Sequence, residues 1–287
     1  MGNNMAQILW GKPLSQELEN KIKEEVLKLK KINIFPTLLI LKIGENDEAE
    51  NYARNIEKVF SKLDIKVERK NYKEETSFEE LISIFNEINN DNSIHGILLL
   101  RPLPTHLEKL KVYSYLPYEK DVEGLSYINL GRLFAGDKAF IPCTSLAVIE
   151  LLDYYNIPLE GKNVVIIGRS ISVGKPLALL FLQRNSTVTI CHSKTLDLSY
   201  HTKRAEILVS AVGRAGIIDE DMVGEESVVI DVGTNIIEGR VVGDVNFERV
   251  EKKVKAITPV PGGVGIVTTR ILAKNLLEAV KRNEIRI

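Results

Sequence analysis

Apolar and polar positions fall into two series in which short apolar runs alternate with stretches of helical periodicity. From Pro13 to Lys30 the residues Leu14, Leu18, Ile22, Val26 and Leu29 recur at helical spacing above a charged opposite face, and Pro13 suits a first helical turn. Thr37 to Ile43 is a near-continuous apolar run ended by Gly44, which predicts a buried strand, and the polar segment Asn46 to Glu50 predicts the start of a helix. Ile65 to Lys70 reads as a second strand, Thr76 with Glu79 as a capping box that opens a helix, and Gly96 to Leu100 as a third buried strand. Strands that alternate with helices imply a parallel sheet.

The stretch Arg101 to Ala147 is rich in Pro, Gly and Tyr, and has no long periodicity before Ala147 to Tyr155. It is expected to cross between domains. A second series follows, with strands at Asn163 to Ile167, Thr187 to Ile190, Ile207 to Ser210 and Ser227 to Asp231, and a helix at Gly174 to Gln183. Beyond the glycine-rich Pro261 to Gly265, Thr268 to Lys281 places Ile271, Leu272, Leu276 and Val280 on one helical face, expected to return to the first domain. The expected fold class is therefore α/β in two domains, residues 1–145 completed by 268–287, and residues 146–267.

Composition narrows the function classes. With 44% hydrophobic and 27% charged residues the chain is globular, and its 38 basic and 39 acidic residues cancel, so it lacks the broad positive field with which proteins neutralise nucleic-acid phosphates. Small-molecule partners are expected instead. Cys143 and Cys191 lie far apart and outside any C-x-x-C spacing, so neither a metal site nor a disulfide framework is expected. No run approaches the roughly 18 apolar residues of a membrane span, and the expected setting is soluble and cytoplasmic.

The candidate chemistry begins where the strand Val164 to Ile167 runs into Gly168-Arg169-Ser170-Ile171-Ser172-Val173-Gly174-Lys175-Pro176, with an apolar helix behind. Strand, glycine turn and helix start, in that order, let backbone N–H groups face a pyrophosphate. The glycines stand one residue further apart than in G-x-G-x-x-G. NAD-binding folds carry an acid about 20 residues beyond the glycines for the ribose hydroxyls. Here that place is Cys191-His192-Ser193-Lys194, without a carboxylate, whereas Arg169, Ser193 and Lys194 suit a 2′-phosphate. NADP is expected over NAD, and His192 is given no catalytic role.

Taken together, these segments resemble a known family. Gly168-Arg169-Ser170 with Val173-Gly174 and Pro176, Thr187-Val188-Thr189 with Cys191-His192-Ser193-Lys194-Thr195, and Thr258-Pro259-Val260-Pro261-Gly262-Gly263-Val264-Gly265 resemble the bifunctional methylenetetrahydrofolate dehydrogenase/methenyltetrahydrofolate cyclohydrolases. Lys120-Asp121-Val122 with Gly124, Asn129 with Gly131-Arg132-Leu133, and Pro142-Cys143-Thr144 match as well, in family order across nearly the whole chain. The resemblance implies an N-terminal folate-side domain, a C-terminal Rossmann-like NADP domain, an active site in the cleft between them and a homodimer formed mainly through the NADP domains. It implies tetrahydrofolate substrates, with Tyr52 stacked on the folate, Asp121 and Glu123 binding it, and Pro261, Gly262 and Gly263 beside the nicotinamide. Gly168, Arg169, Ser170, Val173, Gly174, Pro176, His192, Ser193, Lys194 and Thr195 would hold the cofactor.

Two departures stand out. The family's catalytic Lys, four residues after the folate tyrosine, is Ile56, and the Gln of its Gly-Ile-Leu-Val-Gln-Leu-Pro segment is Leu100. Residues four apart share a helical face, at about 100° per residue, so Arg54 and Lys58 are not obvious replacements. Glu123 stands for the second acid of Asp-Val-Asp-Gly, Ser145-Leu146-Ala147 replaces the expected Pro-Lys-Gly, and Ile266 stands where Pro is usual. The dehydrogenase step needs chiefly the positioning of two carbons, whereas the hydrolytic step must move protons. The expected activity is NADP-dependent oxidation of 5,10-methylenetetrahydrofolate, with hydrolysis in doubt. The alternatives are the full bifunctional enzyme, with Arg54, Lys58 or Arg101 reaching in, and a non-catalytic NADP- or folate-binding protein.

Overall fold

The computed structural model describes residues 5–284, starting from the two-residue strand β1 (Gln7–Ile8) and the helix α1 (Gly11–Lys31). The stripe Leu14, Leu18, Ile22, Val26 and Leu29 on α1 is buried, as its spacing requires. By its contacts the chain divides into two units. One combines the residues up to Gln16 with Pro142–Thr268, and the other combines Glu17–Ile141 with the segment from Thr269 onward.

In the second of these, β2 (Thr37–Ile43), α2 (Asp47–Lys62), β3 (Lys66–Tyr72), α3 (Phe78–Asn90) and β4 (Gly96–Leu99) alternate, and the strands form a parallel sheet in the order β3-β2-β4. All seven residues of β2 are buried, which is why the run reads as near-continuous hydrophobicity, broken only by Lys42, rather than alternation. Helix α2 starts at Asn46, whose side chain accepts from Ala49 N at 2.8 Å, with Asp47, Glu48 and Glu50 in the first turn where the helix dipole favours anions. The cap of α3 corrects the sequence reading by one position. Ser77 Oγ accepts from Glu80 N, while the hydroxyl of Thr76 turns back to Lys73 O at 2.7 Å.

The stretch expected to cross between domains is instead mostly part of this unit. It contains α4 (Thr105–Glu108), a single 3-10 turn at Val112–Ser114 and α5 (Tyr127–Ala135). The later part of the final helix belongs to the unit too, through Arg270 to Glu19 at 3.0 Å and Asn275 Nδ2 to Val122 O at 2.9 Å.

The other unit begins with α6 (Cys143–Tyr154), four residues earlier than its periodicity indicated. It continues through β5 (Asn163–Ile167), α7 (Gly174–Gln183), β6 (Thr187–Cys191), α8 (Leu198–Thr202), β7 (Ile207–Ser210), β8 (Val228–Asp231), the hairpin β9 (Asn235–Ile237) and β10 (Arg240–Val242), α9 (Phe247–Val250) and β11 (Ala256–Ile257), and leads into α10 (Val264–Glu284). Its six-stranded parallel sheet has the order β1-β11-β8-β7-β5-β6. Here the structure corrects the expected boundaries. The sequence places the N-terminal residues in the first domain, but Gln7 and Ile8 pair with Ala256 and Ile257, so β1 closes the edge of this second sheet.

Candidate functional site

The expected residues lie on both units, and each group has its own local logic. At the end of β5 the Gly168 N–H donates to Cys191 O at 2.9 Å, which ties the loop to the neighbouring strand β6. Gly168 has φ +118°, a conformation L side chains rarely adopt, and a Cβ there would overlap the Ala211 carbonyl. A Cβ on Gly174 would overlap the Gly168 carbonyl. The two glycines thus let the loop close on itself despite their unusual spacing. Ser170 Oγ accepts from Val173 N at 3.1 Å, and Pro176 sits in the first turn of α7, where a missing N–H is harmless. Backbone and side chains so arranged fit a pyrophosphate at the start of a ten-residue helix.

Ile167 and Cys191 are register partners on adjacent parallel strands, so Arg169 and Ser193 each emerge two residues beyond a paired position at the C-terminal sheet edge. Both are exposed, as is Lys194. His192 and Thr195 build the turn that presents them. Thr195 Oγ1 accepts from His192 N at 2.9 Å, and His192 Nδ1 accepts from Lys194 N at 3.1 Å. The first carboxylate beyond β6 is Asp197, which caps α8 by accepting from Tyr200 N.

Two supports in this unit escaped the sequence reading. Ser145, fully buried, donates to Val173 O at 3.0 Å with Ser172 O at 3.3 Å, so a residue that departs from the family pattern buttresses the glycine loop from beneath. Asp244 accepts from Val212 N and Arg214 N at 2.8 Å each and from Ser210 Oγ at 3.0 Å, fixing the Ala211 loop against which Gly168 packs. Neither carries a motif; only a carboxylate or hydroxyl in an otherwise apolar neighbourhood hints at such a role. Pro261, Gly262 and Gly263 belong to this unit as well. Gly262, at φ +110°, accepts from Gly11 N at 2.9 Å, and a Cβ there would press on Trp10. Ile266 falls in the first turn of α10, where proline's missing donor would not matter, so its replacement leaves the helix start intact.

On the other unit Tyr52 is half-buried on α2, and Ile56, one turn on, is fully buried with Ala49, Ala53 and Phe60. Leu100 follows β4 and is 2% exposed, its N–H bound to Leu41 O. Arg54 and Lys58 are exposed, Arg54 pairing with Glu50 at 3.1 Å. Of the three cations considered as replacements, Arg101 is the one whose charge acts on Glu123.

Asp121 is a correction. It is fully buried, and its two oxygens accept from Gly124 N, Leu125 N, Ser126 N and Asn129 Nδ2 at 2.7–3.2 Å. Four hydrogen bonds saturate a carboxylate, so Asp121 shapes the turn around Glu123 and has no lone pair to offer a substrate. Glu123 is the opposite case. Its Oε2 is enclosed without a hydrogen-bond partner, and burial, reinforced by the Asp121 charge and opposed by Arg101, pushes its pKa up to about 8. Among the described residues no cluster of His, Cys, Asp and Glu is placed to hold a metal, and no helix is long and apolar enough to cross a membrane.

A glycine loop at the C-terminal edge of a six-stranded parallel sheet, leading straight into a helix, defines a dinucleotide-binding α/β protein. Comparison with known proteins carries this further. Residues 142–284 match the NAD(P)-binding domain, and residues 9–123 the catalytic domain, of tetrahydrofolate dehydrogenase/cyclohydrolase. The chain belongs to the tetrahydrofolate dehydrogenase/cyclohydrolase family. It is 57% identical to the bifunctional protein FolD of Dictyoglomus turgidum over 98% of this chain and 100% of the relative. Among solved structures it resembles the Campylobacter jejuni bifunctional enzyme FolD, a methylenetetrahydrofolate dehydrogenase/cyclohydrolase, with a TM-score of 0.93 and 40% identity over 96% of this chain and 99% of the other. It likewise resembles the Trypanosoma brucei dehydrogenase-cyclohydrolase complexed with NADP cofactor and inhibitor, with a TM-score of 0.92 and 31% identity over 99% of both chains.

Proposed function

We propose that this chain is an NADP-dependent 5,10-methylenetetrahydrofolate dehydrogenase in which the cyclohydrolase activity is impaired or absent. The observation that carries the reading is the contrast between an intact glycine loop and two buried aliphatic side chains, Ile56 and Leu100, where the family resemblance implies a lysine and a glutamine.

Oxidised NADP supplies a hydride acceptor when bound. The chain's own task is to hold the methylene carbon bridging N5 and N10 in line with that acceptor, a positioning contribution that needs no titrating side chain. Tyr52 offers a stacking face, Glu123 a carboxyl group for the pterin, and the loop Pro261-Gly262-Gly263 a wall in which two of the three residues present bare backbone. Arg169, Ser193 and Lys194 read the 2′-phosphate, and this choice of NADP is supported by the turn after β6 presenting exposed Ser193 and Lys194 where a ribose-binding acid would stand. Hydrolysis of the methenyl product requires a group that can move protons, and neither Ile56 nor Leu100 can.

The full bifunctional enzyme is the second reading. It is favoured by the naming of the 57%-identical relative as bifunctional and by the Arg101 charge acting on Glu123. Separate assays of NADPH formation and of methenyltetrahydrofolate decay decide between them. NADPH should form while methenyltetrahydrofolate decays no faster than with heat-inactivated protein, and Ile56→Lys with Leu100→Gln should raise its hydrolysis by more than the product of the single changes. Rapid hydrolysis by the unmodified protein would sink the proposal.

A homodimer through the NADP-side unit completes the reading. Strand β6 ends that sheet, with Ile190 on it 39% exposed and Leu182 just before it 62% exposed, and an unprotected parallel-sheet edge of this kind favours pairing with a second copy.

A further inference from the structure

Two buried polar atoms on the folate-side unit have no hydrogen-bond partner: Oε2 of Glu123 and the hydroxyl of Tyr113. Tyr113 is only 5% exposed. It lies in the 3-10 turn Val112–Ser114, held by Ser114 N to Lys111 O at 2.9 Å and Tyr115 N to Val112 O at 3.0 Å, with Val112 and Leu116 buried on either side. Phenylalanine would fill the same space without an unmet polar group, so the hydroxyl is unexplained by packing.

The two atoms belong to one electrostatic neighbourhood. Arg101, Glu108, Glu123 and Asp121 all act on the Tyr113 phenol, and Asp121 and Arg101 act on Glu123. Asp121 is saturated by its own turn, and Glu108 Oε1 accepts from Leu103 N at 3.3 Å. Arg101 stands two residues beyond the end of β4, and the carboxyl ends of parallel strands are where open α/β sheets receive ligands.

We propose that Tyr113 is a further substrate-binding residue, its hydroxyl and Glu123 Oε2 together hydrogen-bonding the donor–acceptor edge of a reduced pterin. This rests on the folate-side reading of the unit. A pterin ring presents N–H donors beside a carbonyl acceptor, which is the complement of one hydroxyl and one carboxyl group. Burial pushes the Tyr113 phenol up to about 12, so it stays a neutral donor at any working pH. Glu123, at about 8, is mostly the neutral acid near pH 7 and can accept and donate at once. In a unit where Ile56 and Leu100 are apolar, the pair supplies polar recognition that those positions cannot.

The test is Tyr113→Phe in the full chain, with tetrahydrofolate and NADP binding followed by titration calorimetry and the ligand-free protein by thermal melting. The ligand-free variant should melt no lower than the parent, since an unmet hydroxyl has been removed. Its Kd for tetrahydrofolate should rise by about 2- to 12-fold, the range for losing one neutral hydrogen bond, with NADP affinity unchanged. Combining the change with Glu123→Gln should weaken tetrahydrofolate by less than the product of the single effects. A variant that melts higher and binds tetrahydrofolate as the parent does would overturn the inference alone. Failure of the unmodified protein to bind tetrahydrofolate would overturn the folate-side reading and the inference with it.

Discussion

The cofactor-side and folate-side halves of this chain keep their function in different materials. On the cofactor side the work falls to backbone: Gly168 and Gly174 permit a closed loop, Ser145 props it and Asp244 fixes the loop beside it. On the folate side, in the function proposed above, it falls to single side chains, Tyr52, Glu123 and Tyr113, set among apolar neighbours such as Ile56 and Leu100. A backbone cradle tolerates little change, because a single Cβ would collide. A side-chain constellation can lose two polar members together at small cost, since removing both leaves no stranded partner. The difference explains how one half can hold its motif while the other drifts.

The largest effect that would sharpen this contrast is expected at Asp121. Asp121→Ala strands the Leu125 and Ser126 N–H groups in the interior and takes one acceptor each from Gly124 N and the Asn129 amide, which keep Asp121 O and Tyr118 O; at about 1–3 kcal/mol for each stranded group, denaturant melts should show a loss of about 2–6 kcal/mol. A stable variant with weakened folate binding would instead return Asp121 to the ligand-contacting set. Next comes Arg169→Ala, expected to weaken NADP by about 1.5–3 kcal/mol, roughly 10- to 150-fold, and NAD hardly at all. Equal losses for both cofactors would show that the side chain is not reading the 2′-phosphate, and that this half relies on backbone alone.

The smallest effect is a pH slope. Glu123 binds its proton more tightly in the folded chain, about 8 against an ordinary 4.5, so its contribution to stability is full below about 4.5 and is lost as pH rises toward about 8. Asp231 on the cofactor side, also raised by burial, gives a similar fall that ends near its own value of about 6. The interval between about 6 and about 8 lies above the range of Asp231, and there Glu123 acts together with Asp121, whose pKa burial also raises. Melting curves across it should decline for the parent and decline less steeply for Glu123→Gln; parallel declines would show that the carboxyl group is solvated after all.

Much of this architecture was legible because the central strands are buried on both faces. Thr37–Ile43 and Ile207–Ser210 show as near-continuous apolar runs, and α7 as a helix opened by its glycine. The helix Tyr127–Ala135 escaped because it buries only Asn129 and Leu133, too few positions to set a period, and owes its start to Ser126 accepting from Asn129 N. The hairpin β9–β10 escaped because its turn places Glu238 and Gly239 at positive φ without the Asn-Gly or Asp-Gly pair that marks such turns. In the candidate site the glycines could be read from sterics. Asp121 could not be told from Glu123, since two acids two residues apart look alike until one is seen saturated and the other orphaned. Tyr113 gave no signal at all, as a tyrosine in a Pro- and Tyr-rich loop has no period to break.

The strand pair β1–β11 sets a timetable for biosynthesis. Gln7 and Ile8 leave the ribosome well before their partners Ala256 and Ile257. Within that interval Glu17–Ile141, the larger part of the other unit, is synthesised. Gln7 and Ile8 wait without their strand partners while β5 to β8 are made, and the nucleotide-binding sheet gains this edge only once β11 has emerged. Within its sheet, β1 is made before the other strands and paired after them.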